Sequence, residues 1–199
     1  MREGYEKSRK KIKKPLDKPS KICYTKGTKE RGKEKMLKTD YEVRATKFAQ
    51  FLAELFEGCV TRYEYEQAIR MYNSNHVRKL HYDYGISRIA IIRSDYVVKF
   101  NYGFNKDFGD CISEEKMYKK AVKDGMEHLL AKVTTMTLNG HVCAIMPRIK
   151  GVENYRKNWC NYCTDEEREW LYDHVRDLHR GNVGYRNGKV CVIDYAATW

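Results

Sequence analysis

Apolar positions keep a helical period up to about residue 76 and a β-like one after it. From Thr39 or Asp40, either of which can cap a helix, Val43, Phe48, Leu52, Leu55 and Phe56 recur at helical spacing, and Gly58 supplies a stop. A second helix opens at Thr61, where Glu64 completes a capping box. Tyr65, Ala68, Ile69 and Tyr72 line one of its faces before Asn73-Ser74-Asn75 breaks it. Both helices read as packing elements. Then Ile89-Ala90-Ile91-Ile92 and Tyr96-Val97-Val98-Lys99-Phe100 flank the turn Arg93-Ser94-Asp95 and predict an antiparallel hairpin, preceded by a strand over 77–82. After a loop with Gly103 and Gly109, Ser113 can cap a helix over 113–124 that Gly125 ends. Residues 133–138 and 142–146 form a second hairpin around Asn139-Gly140. Thr164 with Glu167 opens a short acidic helix with Trp170, Leu171 and Val175 on its apolar side, and a last hairpin turns at Asn187-Gly188. A sheet with one crossing helix, followed by a smaller lobe, is an α+β plan.

Composition changes this picture at one end. Of the net charge of +12, residues 1–40 carry +9, from fifteen Lys and Arg against six Asp and Glu, so the body carries only +3. Residues 1–38 therefore read as a flexible Lys-rich tail, either a polyanion- or nucleic-acid-binding arm or a solvated tail. No apolar run approaches the ~18–20 residues of a membrane helix, so no membrane partner is expected and the chain reads as cytoplasmic. Seven Cys without a regular framework suit reduced thiols. The boundaries expected are a tail over 1–38, a helical extension over 39–76, a sheet-bearing lobe over 77–150 and a small lobe over 151–199.

Candidate chemistry concentrates in Arg176-Asp177-Leu178-His179-Arg180-Gly181-Asn182 and in Asp194, twelve residues after Asn182. Phosphoryl transfer needs a carboxylate to orient a hydroxyl, and an oxygen ligand plus a second carboxylate for Mg²⁺. Asp177, Asn182 and Asp194 supply them in order. Upstream, Lys99 lies inside an apolar strand. Alternation allows it to face solvent, whereas a buried Lys needs a partner. Glu114 and Glu115 compete to be that partner. Glu114 stands four residues from Tyr118, on the stripe with Ala121 and Val122, and so faces inward. Gly85-Ile86-Ser87-Arg88 could bring backbone N–H groups near a phosphate, with Ser87 among them.

Together these residues resemble the protein-kinase-like phosphotransferase superfamily over about half of the chain, from Gly85 to Ala196. Tyr96-Val97-Val98-Lys99 resembles the family's strand lysine motif, and Glu114 the helix glutamate paired with it. Ala144-Ile145-Met146-Pro147-Arg148-Ile149 resembles the strand and hinge that meet adenine. Asp177 and Asn182 resemble the catalytic-loop Asp and Asn, and Asp194 the metal-binding Asp. The Asp-Leu-His-x-Gly-Asn wording is similar to the aminoglycoside and choline kinase branch; typical protein kinases have Lys where His179 stands. The short form with its Gly-x-Ser-Arg opening resembles small kinase-like proteins encoded by bacteriophages, which would place it in a host cytoplasm.

The resemblance implies a minimal kinase-like fold, an antiparallel sheet with one crossing helix plus a shortened C-lobe. It implies ATP and Mg²⁺ as cofactors, with Ser87, Val97, Lys99, Glu114, Met146 and Arg148 at the nucleotide. Asn182 and Asp194 would hold the metal, and Asp177 would act on a protein or small-molecule hydroxyl. Val175 stands where the family has His, Asp194 is followed by Tyr-Ala, and the sequence continues only five residues past it. A pseudokinase that binds nucleotide or a partner is the alternative, and a nucleic-acid binder led by the tail a further one. Cys160 and Cys163 form a C-x-x-C pair short of the four ligands zinc needs. His128 and His141 read as surface or loop residues, and the Tyr-rich stretch 63–84 as core packing more than base stacking.

Overall fold

A computed structural model of the chain describes residues 40–103, 110–151, 159–179 and 181–196. The tail over 1–38, the cap position Thr39, Gly109 and Arg180 lie outside the described residues. The fold is α+β. Helices α1 (Asp40–Leu55) and α2 (Arg62–Asn75) precede strands β1 (His81–Tyr84), β2 (Arg88–Ile92) and β3 (Tyr96–Asn101). Helix α3 (Asp110–Asp124) leads to β4 (Thr134–Leu138) and β5 (His141–Pro147). Short β6 (Lys150–Gly151), helix α4 (Asp165–His174), β7 (Val183–Arg186) and β8 (Lys189–Val192) complete the order. No helix among the described residues is long and apolar enough to cross a membrane.

Five strands form an antiparallel sheet in the order β1-β2-β3-β5-β4, and β6-β7-β8 form a second one. The large sheet separates two cores. Ile89, Ile91, Val98, Phe100, Cys143 and Ile145 pack with α1 and α2 on one side. Val142, Ala144 and Met146 alternate onto the other side, where they pack with α3, α4 and the second sheet.

Helix α1 buries Ala45, Ala49, Leu52 and Ala53, and Phe56 just after it is buried too, while Val43 is exposed and Phe48 and Leu55 are partly buried. Of the expected stripe, Leu52 and Phe56 are buried and Phe48 and Leu55 pack against the same core, so only Val43 departs from it, and alanines fill three of the four fully buried positions of the helix. Thr61 and Glu64 form the capping box of α2, which buries Tyr65 and Ile69.

The strand expected over 77–82 begins instead at His81, and Val77 is exposed. The Asn73 side chain explains the shift. Its Nδ2 donates to Leu80 O at 3.0 Å and its Oδ1 accepts from Leu80 N at 2.7 Å, tying this segment to the end of α2. Helix α3 also starts earlier than Ser113, at Asp110. Cys111 N in its first turn donates to Asn101 Oδ1 at 3.3 Å, a cap from a distant strand that local sequence cannot show. The Asn-Gly turns place Asn139 and Gly140 at φ 49° and 82° and Asn187 and Gly188 at 54° and 78°, the conformation of two-residue hairpins.

His141 is a correction: it is fully buried, with Nδ1 2.7 Å from Tyr65 Oη. Burial lowers its pKa from 6.5. Below that value the unfolded chain takes up a proton that the folded protein resists, so stability falls as pH falls. The drop in Tm between pH 7 and pH 5 should therefore be smaller in His141→Gln than in the native chain; equal drops would exclude this origin.

Candidate functional site

The site grows from the register of β3. Lys99 pairs with Ala90 on β2 and Ala144 on β5, so methyl groups flank the lysine stem and leave room above the sheet. Lys99 is buried, and the solvent-facing alternative is excluded. Its Nζ donates to Glu114 Oε1 at 2.7 Å and to Ile193 O at 2.8 Å. An ammonium has three protons, so one remains for a further acceptor. Glu114 is fully buried on α3. Glu115 turns away to Thr135 Oγ1 at 2.7 Å and Lys119 at 3.2 Å. Glu114 shares its face with buried Cys111 and Ala121 and with Tyr118, which packs against the same core, while Val122 is exposed.

Arg88 is the residue that sequence reasoning missed. It stands first in β2 with its side chain buried. Nη2 donates to Glu114 Oε1 at 2.9 Å and also to Asp194 Oδ1. Burial works against its charge, but the Glu114 and Asp194 carboxylates outweigh that and raise its pKa above the usual guanidinium value. A signal did exist. Arg88 alternates with Ala90, which pairs with Lys99, so the two cations share a sheet face.

The C-terminal segment closes the site. Asn182 Nδ2 donates to Asp177 O at 3.0 Å and to Asp177 Oδ2 at 3.1 Å, which turns its Oδ1 away from Asp177. Asn182 O accepts from Ile193 N at 2.8 Å, linking the loop to the residue before Asp194. Gly181 N donates to His179 Nδ1 at 3.0 Å, so a neutral His179 carries its proton on Nε2, 3.7 Å from Asp177 Oδ2. A Cβ at Gly181 would stand 2.7 Å from the His179 ring as placed, so a larger residue there would displace the exposed imidazole. Tyr195, buried, donates to Ala131 O and anchors the Asp194 segment to the chain after α3.

No family model and no curated protein matches the chain. Solved structures match at low similarity, these two among them. One is WbdD with the kinase inhibitor LY294002, at 16% identity and TM-score 0.36, over 60% of this chain and 32% of that one. The other is the bifunctional kinase-methyltransferase WbdD, at 16% identity and TM-score 0.37, over 60% and 34%. The chain spans about a third of the length of these structures.

Lys99, Asn182 and Asp194 border one cleft with two adjoining halves. The first, about 200 Å³, is lined by apolar Ala90, Ile92, Val97, Met146 and Ile149. The second, about 480 Å³, is lined by Gly85, Ser87, Arg88 and Asp177, and both halves include Lys99 and Asp194. Apolar walls with a few convergent polar groups are the pattern of a small-molecule site. Ser87 borders the polar half, its Oγ hydrogen-bonded to Asp110. Arg148 N donates to Asp95 O at 3.0 Å and its Nη1 to Arg93 O at 3.2 Å, bracing the β2–β3 turn, and Arg148 is not among the residues lining either half. Among the described residues, no three His, Cys, Asp or Glu side chains cluster as a metal cage. Mg²⁺ needs none, since one or two carboxylates with phosphate oxygens and water suffice.

Proposed function

We propose that the chain is a kinase-like phosphotransferase that moves the γ-phosphate of ATP to a hydroxyl of a protein or small molecule. The observation that carries this reading is the buried Lys99–Glu114 pair at 2.7 Å, set beside Asp194 in a cleft that also contains Asp177 and Asn182. Val97, Met146 and Ile149 offer an apolar slot for the base. The third proton of Lys99 would reach a phosphate oxygen. Asp177, largely exposed at the mouth, would accept the proton of the attacking hydroxyl, whose oxygen bonds to the γ-phosphorus as the bond to the β–γ bridging oxygen breaks and ADP leaves.

The donors fit Mg²⁺: Asn182 presents Oδ1, and Asp194 is 44% exposed with Oδ2 not bonded among the described residues. They would hold the ion, which supplies neutralisation of the phosphate charge.

Transfer of labelled γ-phosphate to the chain itself or to a cell lysate tests the reading. Asp177→Ala and Asp194→Asn should each lower it by at least about 10²-fold. Labelling equal to the native chain in both variants would remove the catalytic assignment. The hold of Arg88 on Asp194 favours a second reading, a module that binds nucleotide without transfer. Saturable ATP binding with no labelling by the native chain would select it.

A further inference from the structure

The phosphotransfer reading leaves one charge balance unused. Lys99, Arg88, Glu114 and Asp194 form a connected cluster of two cations and two carboxylates. Lys99 alone already pairs Glu114 at 2.7 Å. The second cation, Arg88, is therefore balanced by Asp194, and the formal charges of these four groups cancel, with Asp83, Asp110 and Asp177 as the further carboxylates lining the cleft. A divalent ion arriving alone at Asp194 and Asn182 would put two more positive charges beside Lys99 and Arg88. The phosphates of a nucleotide would offset them.

The cluster also contains the partners of a second arrangement. Arg88 Nη1 and Glu114 Oε2 are both buried without a hydrogen-bond partner. Nη2 already bonds Glu114 Oε1, so a guanidinium released by Asp194 can complete a two-pronged pair on Glu114. Arg88 thus has a place to go that keeps its charge compensated.

We infer that Arg88 is a resident counter-cation of Asp194 that competes with divalent metal, so that the nucleotide-free protein binds metal weakly and takes it up together with a nucleoside triphosphate. This rests on the reading of the cleft as a metal–nucleotide site. Arg88 acts here through Asp194 and is a positioning residue.

Calorimetric titration of Mn²⁺ into the nucleotide-free protein tests the inference. Native chain should fail to saturate at millimolar Mn²⁺. Arg88→Gln should bind at least about tenfold more tightly, a change of about 1.4 kcal/mol. Arg88→Gln combined with Asp194→Asn should lose that gain. Saturation of the native chain at micromolar Mn²⁺ overturns the inference, and so does a folded Arg88→Gln with native affinity. The native titration stands by itself if circular dichroism shows that Arg88→Gln does not fold. A parallel titration with a non-hydrolysable ATP analogue and Mg²⁺ separates the two levels. If the analogue does not bind the native chain, the phosphotransfer reading falls as well; if it binds while Mn²⁺ saturates without it, only the role of Arg88 falls.

Discussion

Replacing Glu114 with Ala should cost about 3–5 kcal/mol in urea unfolding, the largest loss for any single change in the cleft. Glu114 is fully buried and is the shared partner of Lys99 and Arg88, themselves almost completely buried. Without it, Asp194 remains to pair one of the two cations, and the other stays buried with backbone oxygens alone. Desolvation of an uncompensated ammonium or guanidinium is the expensive term, more than the lost hydrogen bonds. The neighbouring Glu115→Ala, which removes a partly exposed carboxylate from Thr135 and Lys119, should cost under about 1 kcal/mol. Equal losses for the two substitutions would mean that the buried cluster contributes nothing specific.

Lys99→Met should separate binding from stability. Methionine fills the volume of the lysine stem between Ala90 and Ala144, and Glu114 keeps Arg88 as its partner. The loss in unfolding free energy should therefore be clearly smaller than for Glu114→Ala. Phosphate transfer should fall by about 10²–10³-fold, the usual cost of removing one preorganised charge from a reacting group. ATP should lose affinity in the same variant, read by thermal shift with ATP and Mg²⁺. An ATP-dependent shift equal to that of the native chain would show that Lys99 does not contact the phosphates.

Several parts of the site were readable because their causes are local. The five-residue interval from Asp177 to Asn182 is closed by a side-chain-to-backbone bond within one loop. The capping boxes at Thr61 and Thr164 each involve residues three apart. The choice of Glu114 over Glu115 follows from helix geometry, since two adjacent residues point about 100° apart and only one can face the sheet. Tyr118 and Ala121 lie on that inward face with Cys111, and of the expected stripe only Val122 turns outward.

Other features depend on partners far along the chain. Arg88 was read as part of a weak glycine-containing loop, and its role needs Glu114, 26 residues away, and Asp194, 106 residues away. Three of the four fully buried positions of α1 are alanine, a residue whose small apolar surface leaves a weak periodic signal. His141 appeared as an isolated polar residue until Tyr65, 76 positions earlier, provided its partner. Arg148 bonds Asp95 and Arg93, more than fifty positions earlier, through its amide and guanidinium.

The sequence by itself determined the α+β plan, the hairpin turns at Asn139-Gly140 and Asn187-Gly188, and the capping boxes at Thr61 and Thr164. Each of these rests on periodicity, turn chemistry or spacing within a few residues. Only the tertiary structure decided that Lys99 is buried and that Arg88 already pairs Asp194, placing two cations beside two carboxylates in one cleft. The physical reason is that burial and charge pairing belong to groups brought together by sheet register and helix packing, and the free energy of a buried charge depends on neighbours that no local stretch of the chain contains.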